Sequence, residues 1–161
     1  MSRAITLFLN VLLCGSLALA QATGGSSKKL TDDDDVRLTV FRDLVAEYYR
    51  PNIRGNEPTF FAVEEKDPSR ELLKSLNIGA KVNSQPTSEC EIDGDGVPRD
   101  RATHREGVLF NVGKIKWLKG EEATLDGWFQ IGNMGGTLCT YVVKHEGETW
   151  SIKDISQCSI A

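Results

Sequence analysis

The acidic string from Glu91 to Gly96 holds the residue types best suited to binding a metal ion. A calcium loop needs oxygen ligands at its first, third and fifth positions, a glycine at the sixth and a bidentate carboxylate at the twelfth. The string fits the first half of this pattern, but the twelfth position is Ala102 and no pair of flanking helices is evident. An Asp-Gly turn in an exposed loop explains the same residues. We therefore predict no metal or other cofactor, with calcium binding by this loop left open.

Few side chains are suited to acid–base catalysis. His104 lies in an arginine-rich loop and His145 at a hairpin turn, and neither has a partner at the spacing of a known motif, so both are expected at the surface. Asp126 could serve as a base if it lined a pocket, although it is expected to point to water. No catalytic residue is assigned, and Asp126 and Trp128 are the candidates for lining a pocket.

Three cysteines follow the first 20 residues, so at most one internal disulfide can form and one thiol is left over. The final hairpin is predicted to turn at Glu146-Gly147, which places Cys139 opposite Asp154 and four residues short of Cys158. At about 3.4 Å per residue this separation is about 13 Å, beyond the reach of a disulfide. Cys90 is therefore the expected partner in any bond, preferentially with Cys158, and Cys139 is the expected free thiol.

Residues 1–20 are typical of a cleavable secretory signal peptide. Arg3 is followed by an apolar run, and Ala18-Leu19-Ala20 has the small-x-small pattern that precedes a cleavage site. The run is shorter than the ~20 apolar residues that a membrane-spanning helix needs. We expect a secreted or periplasmic protein that has no membrane attachment once the signal is removed.

The chain that remains, about 141 of the 161 residues, is long enough for one domain with a hydrophobic core. Residues 21–33 are predicted to form a flexible leader, and residues 34–161 a single domain. The full chain has a formal net charge of −4, and loss of Arg3 makes the mature chain more acidic. Nucleic acids and anionic membranes attract clustered positive charge, so neither is an expected partner.

Two helices are predicted. Apolar residues at three- and four-residue spacing indicate a helix from about Asp34 to Tyr49, capped by Thr31 or by one of the aspartates that follow it. A shorter helix is expected to begin at Asp67-Pro68, with Asp67 as its N-cap, and to end near Gly79. The first helix has one apolar face, so we expect it to pack on a sheet.

Strands are predicted mainly in the last third of the chain. Alternation over residues 108–112 shifts by one residue at Gly113, which indicates a β-bulge. Runs at 123–131, 138–144 and 149–155 follow, joined by short glycine-containing turns, and earlier strands are expected at 59–63 and near 88–92. The predicted fold class is α+β. An N-terminal amphipathic helix and a short second helix pack on a curved antiparallel sheet that ends in a four-strand meander.

Several short stretches carry a resemblance to known proteins: Asp67-Pro68-Ser69, Ser88-Glu89-Cys90, Gly113-Lys114-Ile115-Lys116-Trp117, Thr140-Tyr141-Val142-Val143, Gly147 and Trp150. Through them, residues 60–155 resemble a group of small exported bacterial proteins of unknown function. The predicted sheet is also similar to the nuclear transport factor 2-like and cystatin-like folds. The first of these folds hosts both enzymes and binding modules, and Gln130-Ile131-Gly132 does not reproduce the inhibitory Q-x-V-x-G loop of cystatins. The resemblance therefore implies a fold and no functional residues.

The leading functional interpretation is a non-catalytic exported module that binds a small ligand or a protein in the concavity between helix and sheet. The alternative is a small nuclear transport factor 2-like enzyme, an isomerase, dehydratase or hydrolase that uses a carboxylate in that cavity. An enzyme needs titratable groups that converge in a pocket, whereas a binding module needs only an apolar or aromatic lining. Alternation along the strand places Trp128 on the face opposite to Leu125 and Phe129. A third interpretation is therefore that another protein recognises this exposed sheet face.

Overall fold

The computed structural model describes residues 31–49, 56–77, 82–133 and 135–160. The helices are α1 (Asp32–Tyr48) and α2 (Arg70–Ser75), and Thr87–Glu89 form one 3₁₀ turn. The strands are β1 (Thr59–Val63), β2 (Ser84–Pro86), β3 (Cys90–Ile92), β4 (Pro98–Asp100), β5 (Val108–Val112), β6 (Lys116–Trp117), β7 (Glu122–Ile131), β8 (Gly136–Glu146) and β9 (Thr149–Ile160). The predicted signal peptide, most of the predicted leader and the helix end expected at Gly79 lie outside the described residues. Within these ranges, neither helix has the length and apolar character needed to cross a membrane.

The start of α1 is defined by a side-chain cap. The Thr31 hydroxyl oxygen accepts a hydrogen bond from the backbone N–H of Asp34 at 3.2 Å, which satisfies one of the donors left free at a helix start. The four aspartates of the first turn lie at the positive end of the helix dipole. Thr31 is therefore the cap, and α1 begins at Asp32, two residues inside the segment predicted to be a leader.

The start of α2 differs from the prediction by two residues. Ser69, not Asp67, is the N-cap, because its hydroxyl oxygen accepts the backbone N–H of Leu72 at 3.1 Å. The Asp67 carboxylate instead accepts the backbone N–H of Ser88 at 2.7 Å and so ties this loop to the chain before β3. Asp and Ser are both favoured N-caps, so the sequence pattern alone did not separate them.

The strands form a seven-stranded sheet with the order β2-β1-β5-β7-β8-β9, in which β6 pairs with β7, and a separate two-stranded sheet of β3 and β4. β1 runs parallel to both β2 and β5, and the remaining pairs are antiparallel. The chain returns from β1 to β2 through α2, as a parallel pair requires a crossover connection. The fold is thus α+β with two helices and a mostly, rather than wholly, antiparallel sheet.

A one-residue irregularity separates β5 from β6. Val112 pairs with Gly127 and Lys116 pairs with Thr124, so three residues of the β5–β6 segment face two residues of β7. This extra residue is located where the shifted alternation at Gly113 predicted a bulge.

Packed side chains fill the space between α1 and the sheet. Phe41 of α1 meets Phe61 edge-on with ring centroids 5.2 Å apart, and Phe61 stacks on Phe110 at 5.4 Å. The helix approaches the sheet so closely at Gly127 that a Cβ atom there would lie 2.9 Å from Val40 Cγ1. The concavity in which a ligand site was expected is therefore occupied by hydrophobic core.

The cysteines pair differently from the prediction. Cys139 of β8 and Cys158 of β9 form a disulfide with their Cα atoms 4.1 Å apart, and Cys90 is a buried free thiol. The expected bond between Cys90 and Cys158, and the expected free thiol at Cys139, were therefore wrong.

The register of the last hairpin explains this error. The turn brings Glu146 opposite Thr149, so its centre lies one residue later than predicted and moves the residue opposite Cys139 by two positions along β9. Register shifts between Val142 and Val143 and between Leu138 and Thr140 each add one more residue to β9. Together they bring Cys158 beside Cys139, because β-bulges place two residues of one strand opposite one of its partner.

Candidate functional site

Trp128 of β7 lies on the sheet face that points away from α1. Its neighbour Phe129 belongs to the core beneath α1, whereas Trp128 packs against a second, smaller cluster formed by Phe60, Ala62, Cys90 and Leu109. This placement follows from the alternation of side chains along a strand. Trp128 remains half-buried, so part of its indole ring faces solvent.

A groove of about 720 Å³ begins at this indole and extends toward the β7–β8 turn. The described residues that line it come from β7, from β8, from the turn between them and from the loop after β3: Gly96, Trp128, Phe129, Gln130, Asn133, Gly135, Gly136, Thr137 and Leu138. We call it the Trp128 groove. Its volume is within the 300–1,000 Å³ typical of small-molecule sites.

The floor of the Trp128 groove is a cross-strand pair. Trp128 and Leu138 are directly opposite each other in the β7–β8 register, so their side chains share the outer face. Leu138 is 39% exposed and adjoins the half-buried indole, so the two side chains form one apolar patch instead of a single exposed residue. The pair presents contiguous apolar surface that no other described side chain covers completely.

One wall of the groove is the loop between β3 and β4. The side-chain amide of Gln130 donates a hydrogen bond to the carbonyl oxygen of Gly96 and holds this loop against β7. Gly96 has a φ of 77°, a conformation that glycine adopts without the strain of a side chain. The acidic string that includes Gly96 thus shapes the edge of the groove.

The carboxylates of that string are paired with an arginine. The Arg99 guanidinium contacts Asp95 with two hydrogen bonds, of 2.8 and 3.0 Å, and Asp93 with one of 3.4 Å. The hydrogen bond from Arg99 lowers the pKa of Asp95 to about 2. Among the described residues no group of three or more His, Cys, Asp or Glu side chains is arranged to hold a metal ion. The structure therefore places Arg99 at the oxygen atoms that calcium would use.

The other sequence candidates lie outside the groove. Asp126 is on the same outer face as Trp128, but it is exposed and accepts a hydrogen bond from the Thr140 hydroxyl at 2.7 Å. His104 is exposed and its Nδ1 lies 2.7 Å from a Glu91 carboxylate oxygen. The structure brings neither Asp126 nor His104 to the Trp128 groove.

The free thiol of Cys90 lies beneath Trp128 in the second cluster. Burial raises the pKa of Cys90 to about 11, so the thiolate form is scarce at neutral pH. Since the thiolate is the reactive species, this cysteine acts as a small packing residue in the folded protein.

Sequence analysis missed Leu138 and Gly96 as parts of the site. Leu138 could have been found, because a predicted hairpin between 123–131 and 138–144 already implies a cross-strand partner for Trp128. Gly96 could not have been found from the sequence. Its position depends on how the β3–β4 hairpin packs against β7, which is more than 30 residues away in the chain.

Comparisons of this chain with protein-family models, with curated proteins and with solved structures find no match.

Proposed function

We propose that this protein is a non-catalytic binding module whose Trp128 groove takes a small, uncharged and largely apolar ligand. The observation that carries the proposal is the partly exposed Trp128–Leu138 pair in a groove whose described lining contains no ionisable side chain. An apolar lining with a few fixed polar groups is the usual composition of a small-molecule site.

Two kinds of interaction are available to a ligand there. Covering the indole and the leucine side chain removes apolar surface from water, which stabilises a complex by on the order of 2–3 kcal/mol per 100 Å² buried. Asn133 and Thr137 supply uncharged hydrogen-bonding groups at the rim, which would orient the ligand. A charged ligand would find no partner of opposite charge among the described lining residues.

The enzymatic alternative has less support. It required a carboxylate inside a cavity between helix and sheet, but core side chains occupy that space and Asp126 lies on the other face. A protein that docks on the outer face would use the same Trp128–Leu138 pair in place of a small ligand.

We also propose that the protein acts in a secreted or periplasmic location. The disulfide between Cys139 and Cys158 supports this, because disulfides persist in oxidising compartments and are rare in the cytosol.

The proposal is tested with N-phenyl-1-naphthylamine, an uncharged apolar dye whose fluorescence rises on leaving water. We expect saturable binding to the full-length protein, and Leu138→Ser should weaken it at least about tenfold, equivalent to about 1.4 kcal/mol. Ile155→Ser is the matched control, since Ile155 is a similarly exposed strand residue, 42% accessible, outside the groove.

Equal affinity in the wild type and Leu138→Ser would contradict a small-ligand groove at this position. Absence of saturable dye binding would do the same and would favour the protein partner.

A further inference from the structure

A second cavity, of about 640 Å³, lies between the first half of α1 and the β8–β9 turn. Its chemistry depends on six of its lining residues: Asp35, Thr39, Arg42, His145, Thr149 and Trp150. We call it the Trp150 cavity. It is separate from the Trp128 groove, with which it shares no described lining residue.

The rings of His145 and Trp150 form one aromatic side of this cavity, and the ring of Trp117 lies beside them. Trp150 contacts Trp117 with ring centroids 5.5 Å apart and His145 with centroids 5.0 Å apart. Trp117 is 49% exposed, and Trp150 is half-buried. Such a contiguous and accessible aromatic surface is unusual away from interaction sites, because exposed tryptophan costs solubility without adding to the core.

The opposite side of the cavity carries charges of both signs on one helix. Asp35 and Arg42 are seven residues apart, about 10 Å along the axis of α1. Neither side chain forms an ion pair with a described residue. The carboxylate can accept hydrogen bonds and the guanidinium can donate them, so the two groups offer complementary roles to a single ligand.

This combination disfavours a simple ion. Asp32, Asp35 and Glu148 repel an anion, while Arg42 and the positive end of the α1 dipole offset part of the attraction that these carboxylates exert on a cation. A neutral molecule with many hydroxyl groups satisfies both signs, since each hydroxyl donates and accepts. The aromatic side additionally requires an apolar face on the same molecule.

We propose that the Trp150 cavity is a saccharide-binding site for one or two sugar rings. A sugar ring has a face of C–H groups that packs on an indole and a perimeter of hydroxyls that bonds to Asp35 and Arg42. The cavity volume accommodates a ligand of this size. No bond of the sugar is broken, and the site acts by recognition alone.

The test is titration of the full-length protein with maltose, cellobiose and N,N′-diacetylchitobiose, followed by tryptophan fluorescence and calorimetry. We expect at least one of them to bind with a Kd in the millimolar range, and Arg42→Ala and Asp35→Asn each to raise that Kd at least about fivefold. Arg70→Ala is the control, because Arg70 is an exposed arginine on α2 outside the cavity. Trp150→Ala should abolish binding. If this change disturbs the β8–β9 hairpin, Arg42→Ala and Asp35→Asn still test the site, because they are on α1.

The proposal is overturned if none of the three disaccharides binds at about 10 mM, a concentration that would detect even weak sites. It is also overturned if Arg42→Ala binds as the wild type does, or if choline chloride binds more tightly than the sugars. Leu138→Ser should leave sugar binding unchanged, so failure here and failure of the Trp128 groove are distinguishable.

Discussion

Replacing Phe110 by alanine is expected to lower the free energy of unfolding by about 3–5 kcal/mol. Phe110 is fully buried and lies at the centre of the aromatic core, where it stacks on Phe61 and contacts Tyr48 and Phe129 with centroids 5.8 Å away. The substitution to alanine removes most of the apolar surface that the phenylalanine ring buries. It also leaves a cavity that the neighbouring rings cannot fill. Because domains are stable by only about 5–15 kcal/mol, this single change brings the protein near the limit of folding.

Urea denaturation followed by circular dichroism measures this effect. Ile155→Ala is the control, since it removes a partly exposed side chain from β9 and should change stability by no more than about 0.5 kcal/mol. A loss of less than about 1 kcal/mol in Phe110→Ala would mean that the core under α1 is not packed as described.

Removing the disulfide is expected to cost about 3 kcal/mol. Cys139 and Cys158 are 19 residues apart, and a cross-link that closes a loop of this length restricts the unfolded chain by about that amount. The double variant Cys139→Ala/Cys158→Ala should therefore unfold at lower urea concentration than the wild type. The reduced wild type should behave as the double variant does.

The matched control is Cys90→Ala, which leaves the cross-link intact. It should cost only about 1 kcal/mol, because it truncates one small buried side chain. Peptide mapping under non-reducing conditions should find Cys139 joined to Cys158, and Cys90 should react with thiol reagents only after unfolding. A Cys90–Cys158 peptide would contradict the register of the last hairpin.

Local features of the fold could be predicted from sequence. The existence of α1, β1 and β5 depends on residues close together in the chain, where helix and strand periods act directly. The choice of Thr31 rather than an aspartate as the cap of α1 was left open by the sequence. The face of Trp128 followed from the same alternation. The order of the strands in the sheet could not be predicted in this way, since the parallel pairing of β1 with β5 joins residues about 50 positions apart.

Small register errors account for the failed disulfide prediction. The two register shifts of the β8–β9 hairpin leave no clear pattern in the sequence of β9, which mixes polar and apolar residues. One residue of β9, Gln157, has a φ of 51° although it is not a glycine. Each irregularity moves the pairing by one residue, which is enough to change which cysteine faces which. The Trp128 groove and the Trp150 cavity were hidden for a related reason, because both depend on loops packed against distant strands.

The three tryptophans of the chain provide the most direct test of the proposed binding module. Each indole N–H gives its own signal in a proton–nitrogen correlation spectrum, and Trp128 lines the groove whereas Trp117 and Trp150 lie at the other cavity. Titration with N-phenyl-1-naphthylamine should shift the Trp128 signal in a saturable manner and leave the other two in place. Saturable shifts of Trp117 or Trp150 with an unmoved Trp128 would contradict the assignment of the groove as the ligand site.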